Sequence, residues 1–250
     1  MRLIRANWSA PAHIHALTTT RLGGVSYAPF NGLNLGDHVG DDLASVSANR
    51  QQLIQALGLT QSPQWLKQVH GTEVVELTQS SHNSAVIQTA DASATQIPGL
   101  ACVIMTADCL PVLFTNKKGT HVAAAHAGWR GLAAGVLEKT LSRFDSNDEI
   151  LAWMGPAIGP LAFEVGAEVK AVFVEHDPLA EIAFKPSPTK PDGRFLADLY
   201  ALARLRLKAA GVVDISGGEH CTFSDDENFF SYRRDNITGR MASLIWIVPR

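Results

Sequence analysis

Two apolar runs flank the polar turn Asn116-Lys117-Lys118-Gly119, and this stretch constrains the fold more than any other. Short apolar runs without polar alternation, here 111–114 and 122–125, are the pattern of strands covered on both faces. A polar turn ending in glycine predicts that they form an antiparallel hairpin. With Thr115 opposite Thr120, paired residue numbers add to 235, which sets Cys109 opposite His126. Directly opposed side chains share a face with Cβ atoms about 4.5–5.5 Å apart, so a thiolate and an imidazole there can reach one metal ion or touch each other. A slip of one residue would put them on opposite faces. The same placement also fits a buried free cysteine beside a core histidine.

Further buried strands are expected over 103–105, 150–153 and 244–248. Helices are expected from an Asp41 or Asp42 cap to Leu57, over 131–144, over 165–174, and over 196–210 before Gly211. The last is amphipathic, with Leu199, Leu202, Leu205 and Ala209 inward and Arg204 and Lys208 outward. Strands and helices mix without a βαβ rhythm. The expected class is therefore α+β, a single-domain alpha-beta sandwich over residues 1–250 in which a mixed β-sheet is packed by helices. No repeat or low-complexity tract divides the chain. The segment 184–194, with three prolines, reads as a surface excursion or lid.

The 250 residues are 46% hydrophobic and 18% charged with a net charge of -3, a balance that excludes a disordered or strongly basic chain. No basic block exceeds a pair, which argues against binding nucleic acid by phosphate neutralisation. No apolar run approaches a membrane span, and Arg2 and Arg5 are not followed by a signal-like apolar stretch. Three cysteines cannot pair completely, so a reducing, cytoplasmic setting is expected. A small-molecule substrate is expected, with no obligatory protein partner.

Two arginines stand out. After His126 the run Ala127-Gly128-Trp129-Arg130-Gly131 leaves a strand and enters a helix, so backbone N–H groups and Arg130 can converge on an anion, although such glycine turns are common. Leu43, Val46, Leu53, Ile54 and Leu57 mark the inner stripe of the first helix, and Arg50 falls on that stripe. An inward guanidinium needs either a carboxylate partner or a polar cavity in which it clamps an anionic substrate.

Four motifs, 65–71 (WLKQVHG), 106–112 (TADCLPV), 125–131 (AHAGWRG) and 230–235 (FSYRRD), make the chain similar to the bacterial YfiH/YlmD family, formerly described as polyphenol oxidase or laccase-domain proteins. The likeness extends through 20–26 (TRLGGVS), 33–36 (LNLG), Asn49-Arg50, 154–159 (MGPAIG) and 239–243 (GRMAS).

The resemblance implies a zinc site formed by His70, Cys109 and His126. Three protein ligands leave a fourth position open, as in catalytic zinc, and the metal would hold Cys109 as thiolate. It also implies purine nucleoside phosphorylase activity on adenosine, inosine, guanosine and methylthioadenosine, with adenosine deaminase activity at the same site. Purine nucleosides and phosphate are then the binding partners. Cations must fix phosphate as positive charge grows at C1′. Arg50, which the family favours as an active-site residue, and Arg130, chosen from the turn, are the phosphate candidates.

Three other readings compete. A multicopper phenol oxidase would need around ten clustered histidines, and this chain has nine, scattered. A cysteine hydrolase would use Cys109 as nucleophile and His126 as base. A non-catalytic nucleotide-binding or peptidoglycan-quality-control protein would keep zinc as structure only. Among the remaining residues, His13, His15, His82 and His176 are expected at the surface, and His38 in a turn or lining the pocket. Adjacent His220 and Cys221 point to opposite strand faces. Asp108 is expected to orient His70, move a proton or cap a turn, and Arg233 and Arg234 to pair with Asp225 or Asp226 or to contact substrate.

Overall fold

The computed structural model describes residues 1–82 and 86–249. In chain order the strands are β1 (Leu3–Arg5), β2 (Ile14–Thr19), β3 (Val74–Glu76), β4 (Ala92–Thr95), β5 (Ala101–Thr106), β6 (Leu110–Asn116), β7 (Val122–Ala127), β8 (Ile150–Met154), β9 (Glu164–Gly166), β10 (Phe184–Pro186), β11 (Arg194–Ala197), β12 (Asp214–Gly217) and β13 (Met241–Ile247). The α-helices are α1 (Leu43–Leu57), α2 (Gln79–His82), α3 (Trp129–Ala134), α4 (Val136–Leu141), α5 (Ala167–His176), α6 (Leu199–Ala209) and α7 (Tyr232–Asp235). None of the described helices is long and apolar enough to cross a membrane.

The class is α+β, with the apolar residues arranged in four layers. A six-stranded sheet, ordered β12-β8-β6-β7-β4-β3, is mixed: its outer pairs β12–β8 and β3–β4 are parallel and the rest antiparallel. One face of it, carrying Leu113, Val122, Ala124 and Trp153, packs on Ile14, Ile104 and Ile245 of an antiparallel sheet ordered β1-β2-β13-β5. Its other face, with Val112, Phe114 and Ala123, receives Leu132, Leu137, Leu202 and Leu207 from α3, α4 and α6. Leu53 of α1 covers the far side of the four-stranded sheet against Leu17, Val103 and Leu244. A smaller antiparallel sheet, β10-β11-β9, completes the chain. Burial on both faces explains why β5, β6 and β7 read as continuous apolar runs, each fully buried large side chain contributing about 1.5–3 kcal/mol.

All five expected strands form, and α1 begins as expected, with Asp42 accepting from the N–H groups of Ala44 and Ser45. Its inner stripe is narrower than the sequence suggests, because Leu43 is exposed and buried Asn49 takes a place in it. The helix expected over 131–144 is two helices, starting at Trp129 and interrupted by Gly135 at φ +94°. Residues 165–166 belong to β9, and 196–197 to β11, so α5 and α6 begin later than their periodicity suggests. In α6, Asp198 caps the start, Ala209 is exposed, and Arg204 turns in to the carbonyls of Ile215 and Gly217. The proline-rich excursion is tied down at both ends by the β10–β11 pairing.

Gly135 gives the break a test whose sign is decisive. A Cβ there would meet nothing nearer than 3.5 Å, so Gly135→Ala adds no clash and exposes the left-handed backbone cost alone. We expect a destabilisation of about 1–2 kcal/mol in denaturant melts. A continuous helix would instead gain about 0.5–1 kcal/mol from the same change.

Candidate metal centre

Asp91 lies one residue before β4 and is fully buried. Its carboxylate accepts from the backbone N–H groups of Val69 (3.1 Å), His70 (2.9 Å) and Gly71 (2.7 Å), and from Nδ1 of His126 (2.8 Å). The His126 N–H also donates to the Asp91 carbonyl at 2.7 Å. Wrapping 69–71 around one anion draws His70 into the left-handed region at φ +60°. Gln68 fixes the approach of this loop: its amide donates to the Met105 carbonyl and accepts from the Met105 N–H, both at 2.8 Å, and so continues the pairing at the edge strand β5. Burial works against ionisation of Asp91, but the His126 ring and the three backbone N–H donors outweigh it and hold the carboxyl below the usual carboxylate range.

The hairpin forms in a register two residues from the expected one. Leu110 faces Ala127, Pro111 faces His126 and Thr115 faces Val122, so paired numbers add to 237. Asn116 causes the shift. Its side-chain carbonyl accepts from the N–H groups of Thr120 and His121, which closes a longer loop and draws Asn116 into the strand. A shift of two keeps each side chain on its face. Cys109 therefore remains on the side of His126, diagonal to it and beside Gly128. A Cβ on Gly128 would lie 2.9 Å from the Cys109 sulfur and 2.8 Å from Cδ2 of His70.

His70, Cys109 and His126 consequently meet, with ligand-type atoms all within 4.8 Å of one another, an arrangement that can hold a metal ion. The Cys109 sulfur is 3.6 Å from Nε2 of His70, and the two rings meet edge-on with centroids 4.7 Å apart. Burial raises the Cys109 thiol pKa, but the His126 charge and hydrogen bonds from both imidazoles outweigh it and bring it down to about 6. Burial likewise opposes charge on His126, and the thiolate and Asp91 overcome it, lifting His126 to about 9. Each charge thus favours the other, thiolate on Cys109 and imidazolium on His126.

The cluster opens on a cavity of about 410 Å³ with Met105, Thr106 and Ala107 of the β5 end on one wall and His38, Gln68, Tyr232 and Arg240 on others. A larger hollow of about 580 Å³ lies at the opposite end of β6, away from these three residues.

Neither arginine singled out from the sequence lines this cavity. Arg50 turns inward as expected and has the carboxylate partner, Asp37 at 3.3 Å, with the Trp65 ring 4.0 Å from its guanidinium carbon. Its Nε donates to the Leu35 carbonyl. Arg130 is exposed and lies over the ring of Trp129. Asp108 caps a turn, accepting from Thr222 Oγ1 and the Arg233 N–H. Arg233 and Arg234 bind backbone carbonyls, of Glu164 and of Thr222, Phe223 and Phe229, and do not pair with Asp225 or Asp226. Cys221 and His220 face different partners, Gly159 and Phe229. His13 and His15 are half-buried, bonded to the Gly119 carbonyl and packed on Trp246, while His176 is exposed. The side chain of His82 lies outside the described residues. Asp91 and Arg240 escaped the sequence reading. The only trace of Asp91 was an acid set between alanines ahead of a strand, and Arg240 stood in a quoted motif without a role.

The thiolate pair predicts a pH profile. In chelator-treated protein, alkylation of Cys109 followed by peptide mass analysis is expected to rise with a midpoint near pH 6. His126→Ala is expected to move the midpoint toward the ordinary thiol range of about 8.5. A rate in the unaltered protein that still climbs steeply between pH 8 and 9 would contradict the pairing.

The family model described as multi-copper polyphenol oxidoreductase laccase matches residues 15–248. The chain is 53% identical over 248 residues to purine nucleoside phosphorylase YfiH of Escherichia coli, covering 99% of each. It is 56% identical over 242 residues to a purine nucleoside phosphorylase of Pseudomonas aeruginosa, covering 96% of each. The crystal structure of a Neisseria meningitidis protein described as family-model DUF152 superposes with a TM-score of 0.92 at 48% identity, covering 100% of both chains. A match of this extent, in sequence and in backbone, makes the chain a member of the multi-copper polyphenol oxidoreductase laccase family, to which the YfiH proteins belong.

Proposed function

We propose that residues 1–250 act as one unit, a zinc-dependent purine nucleoside phosphorylase that takes adenosine, inosine, guanosine and methylthioadenosine and also deaminates adenosine. The observation that carries this reading is the meeting of His70, Cys109 and His126 at the mouth of a cavity of about 410 Å³. The names of the relatives support the substrate class.

The residues fit zinc. One thiolate and two imidazoles are the donors of an open three-ligand zinc site, and a carboxylate on the far nitrogen of a ligating histidine is the usual support for such a ring. Copper oxidation fits less well, since His13, His15, His121 and His220 pack at other places in the fold and, among the described residues, a single His-Cys-His group can hold a metal. Zinc bound here supplies Lewis-acid polarisation of whatever takes its open position.

The chain's own residues do the rest. Asp91 fixes the proton on Nδ1 of His126 and leaves Nε2 directed at the cluster. Met105 and Ala107 give the purine an apolar wall, and Gln68, tied to the backbone, keeps that wall in place. In phosphorolysis a phosphate oxygen bonds to C1′ as the C1′–N9 bond breaks. The electron pair leaves with the purine, which takes up the proton that phosphate loses. In this reading Arg50 works from behind the cavity, bracing Asp37 and the Leu35 carbonyl, and Arg130 stands outside it. Three free cysteines, one of them a thiolate, suit a reducing cytoplasm.

Purified protein is to be analysed for metal and incubated with adenosine, with and without phosphate. Phosphate-dependent release of adenine and ribose 1-phosphate is expected, with inosine formed without phosphate. Cys109→Ala is expected to lose bound zinc and turnover together, and full activity in that variant or after complete metal removal would overturn the reading. The Cys109–His126 thiolate pair favours one second reading, a cysteine hydrolase, which metal-free ester or amide hydrolysis blocked by Cys109 alkylation would establish. Asp91→Asn turns an acceptor into a donor facing existing donors, and chelator competition is expected to show metal affinity reduced about 10–100-fold.

A further inference from the structure

The cavity beside His70, Cys109 and His126 contains one arginine, Arg240, at the entry to β13. Its main chain is fixed from both sides: its N–H donates to Oδ1 of Asn34 at 2.9 Å, and its carbonyl accepts from the Leu35 N–H at 3.2 Å. The side-chain stem is seated against Gly36, where a Cβ would lie 2.8 Å from Cγ of Arg240. Nη1 spends its two hydrogens on the carbonyls of Thr238 (2.9 Å) and Gly239 (3.0 Å). These contacts set the plane of the guanidinium. They leave its Nε and Nη2 edge without a protein acceptor, and no carboxylate lies within ion-pair distance of it among the described residues.

That edge is the two-donor fork that matches the oxygens of a phosphate. The other arginines near the site are spent. Arg50 is paired with Asp37, Arg233 with the Glu164 carbonyl and Arg234 with Asp235. Cys109 and Asp108 act on this half-buried guanidinium only from beyond ion-pair distance, so an anion in direct contact would offset more of its burial cost. His38 also lines the cavity, and its Nδ1 lies 3.5 Å from Asp37. Partial burial and the charge of Arg240, which lines the same cavity, lower the pKa of its imidazole against the pull of Asp37. Nε2 of His38 is then left as a further polar contact for the same ligand.

We propose that Arg240 is the phosphate-binding cation of this site, gripping two phosphate oxygens through Nε and Nη2, with His38 beside it. The inference rests on the phosphorylase reading and replaces Arg50 and Arg130 as the groups that touch phosphate. The recognised chemistry is a phosphate dianion, and the ligand assigned is inorganic phosphate.

The test compares the zinc-loaded protein with Arg240→Gln and Arg240→Lys, measuring KM for phosphate and for adenosine, zinc content, and binding of inorganic phosphate and of adenosine 5′-phosphate by calorimetry. Arg240→Gln is expected to raise the phosphate KM about 10–100-fold, with zinc content and adenosine KM unchanged. Arg240→Lys keeps the charge without the fork and is expected to fall between. It also serves if loss of the Thr238 and Gly239 contacts unfolds the glutamine variant. Phosphorolysis with a phosphate KM within twofold of the original in both folded variants would overturn the assignment while leaving the phosphorylase reading intact. If the unaltered protein releases no adenine, the phosphorylase reading fails, and calorimetry decides the subsite alone. Inorganic phosphate binding weakened by either substitution supports it, and binding that is absent or unaffected overturns it. A substitution that weakens only adenosine 5′-phosphate would assign the fork to a phosphate ester and overturn the inference as stated.

Discussion

The Asp91 carboxylate accepts four hydrogen bonds, three from consecutive backbone N–H groups and one from the ring of His126. Burying a carboxylate without partners would cost several kcal/mol, so the loop at 69–71 and the strand carrying His126 are obliged to come to it. The interaction that offsets the cost of the buried charge is the same one that sets both histidines in place. Fold and site therefore share one group: the 69–71 loop cannot leave Asp91 without carrying His70 away from the sulfur.

Much of this was legible in the sequence. The apolar runs identified the central strands because strands covered on both faces cannot alternate, and α1 starts after Asp42, one of the two caps read there, and ends at Leu57. The meeting of Cys109 with His126 survived a misplaced turn because the error was two residues and strand faces repeat every two. What could not be read depended on distant chain. Gly135 looks like any helical glycine until α4 has to lie across β7, and Arg50 shows its inward direction but not that Asp37 and Trp65 await it. The position of Arg240 is set by Asn34, 206 residues away in the chain.

The site divides its charges between two supports. The sulfur and the imidazoles sit at the ends of β6 and β7 and on the loop bound to Asp91, within the six-stranded sheet and its borders. Arg240 comes from the start of β13, in the other main sheet. The cavity is the seam where the two sheets part, and a ligand that touches both walls spans the principal interface of the molecule. Core packing between the sheets, through Leu113, Trp153 and Ile245, thus fixes the separation of cation and thiolate without any of those side chains approaching a ligand.

Gly128 shows how little room that assembly leaves. The sulfur and the His70 ring occupy the volume a methyl group would need, so the place where strand becomes helix is gauged by a missing carbon. A methyl group there would press on the sulfur and the ring at once, so one added carbon at a strand-to-helix junction would force the two apart while leaving the layers on either side with all their packing.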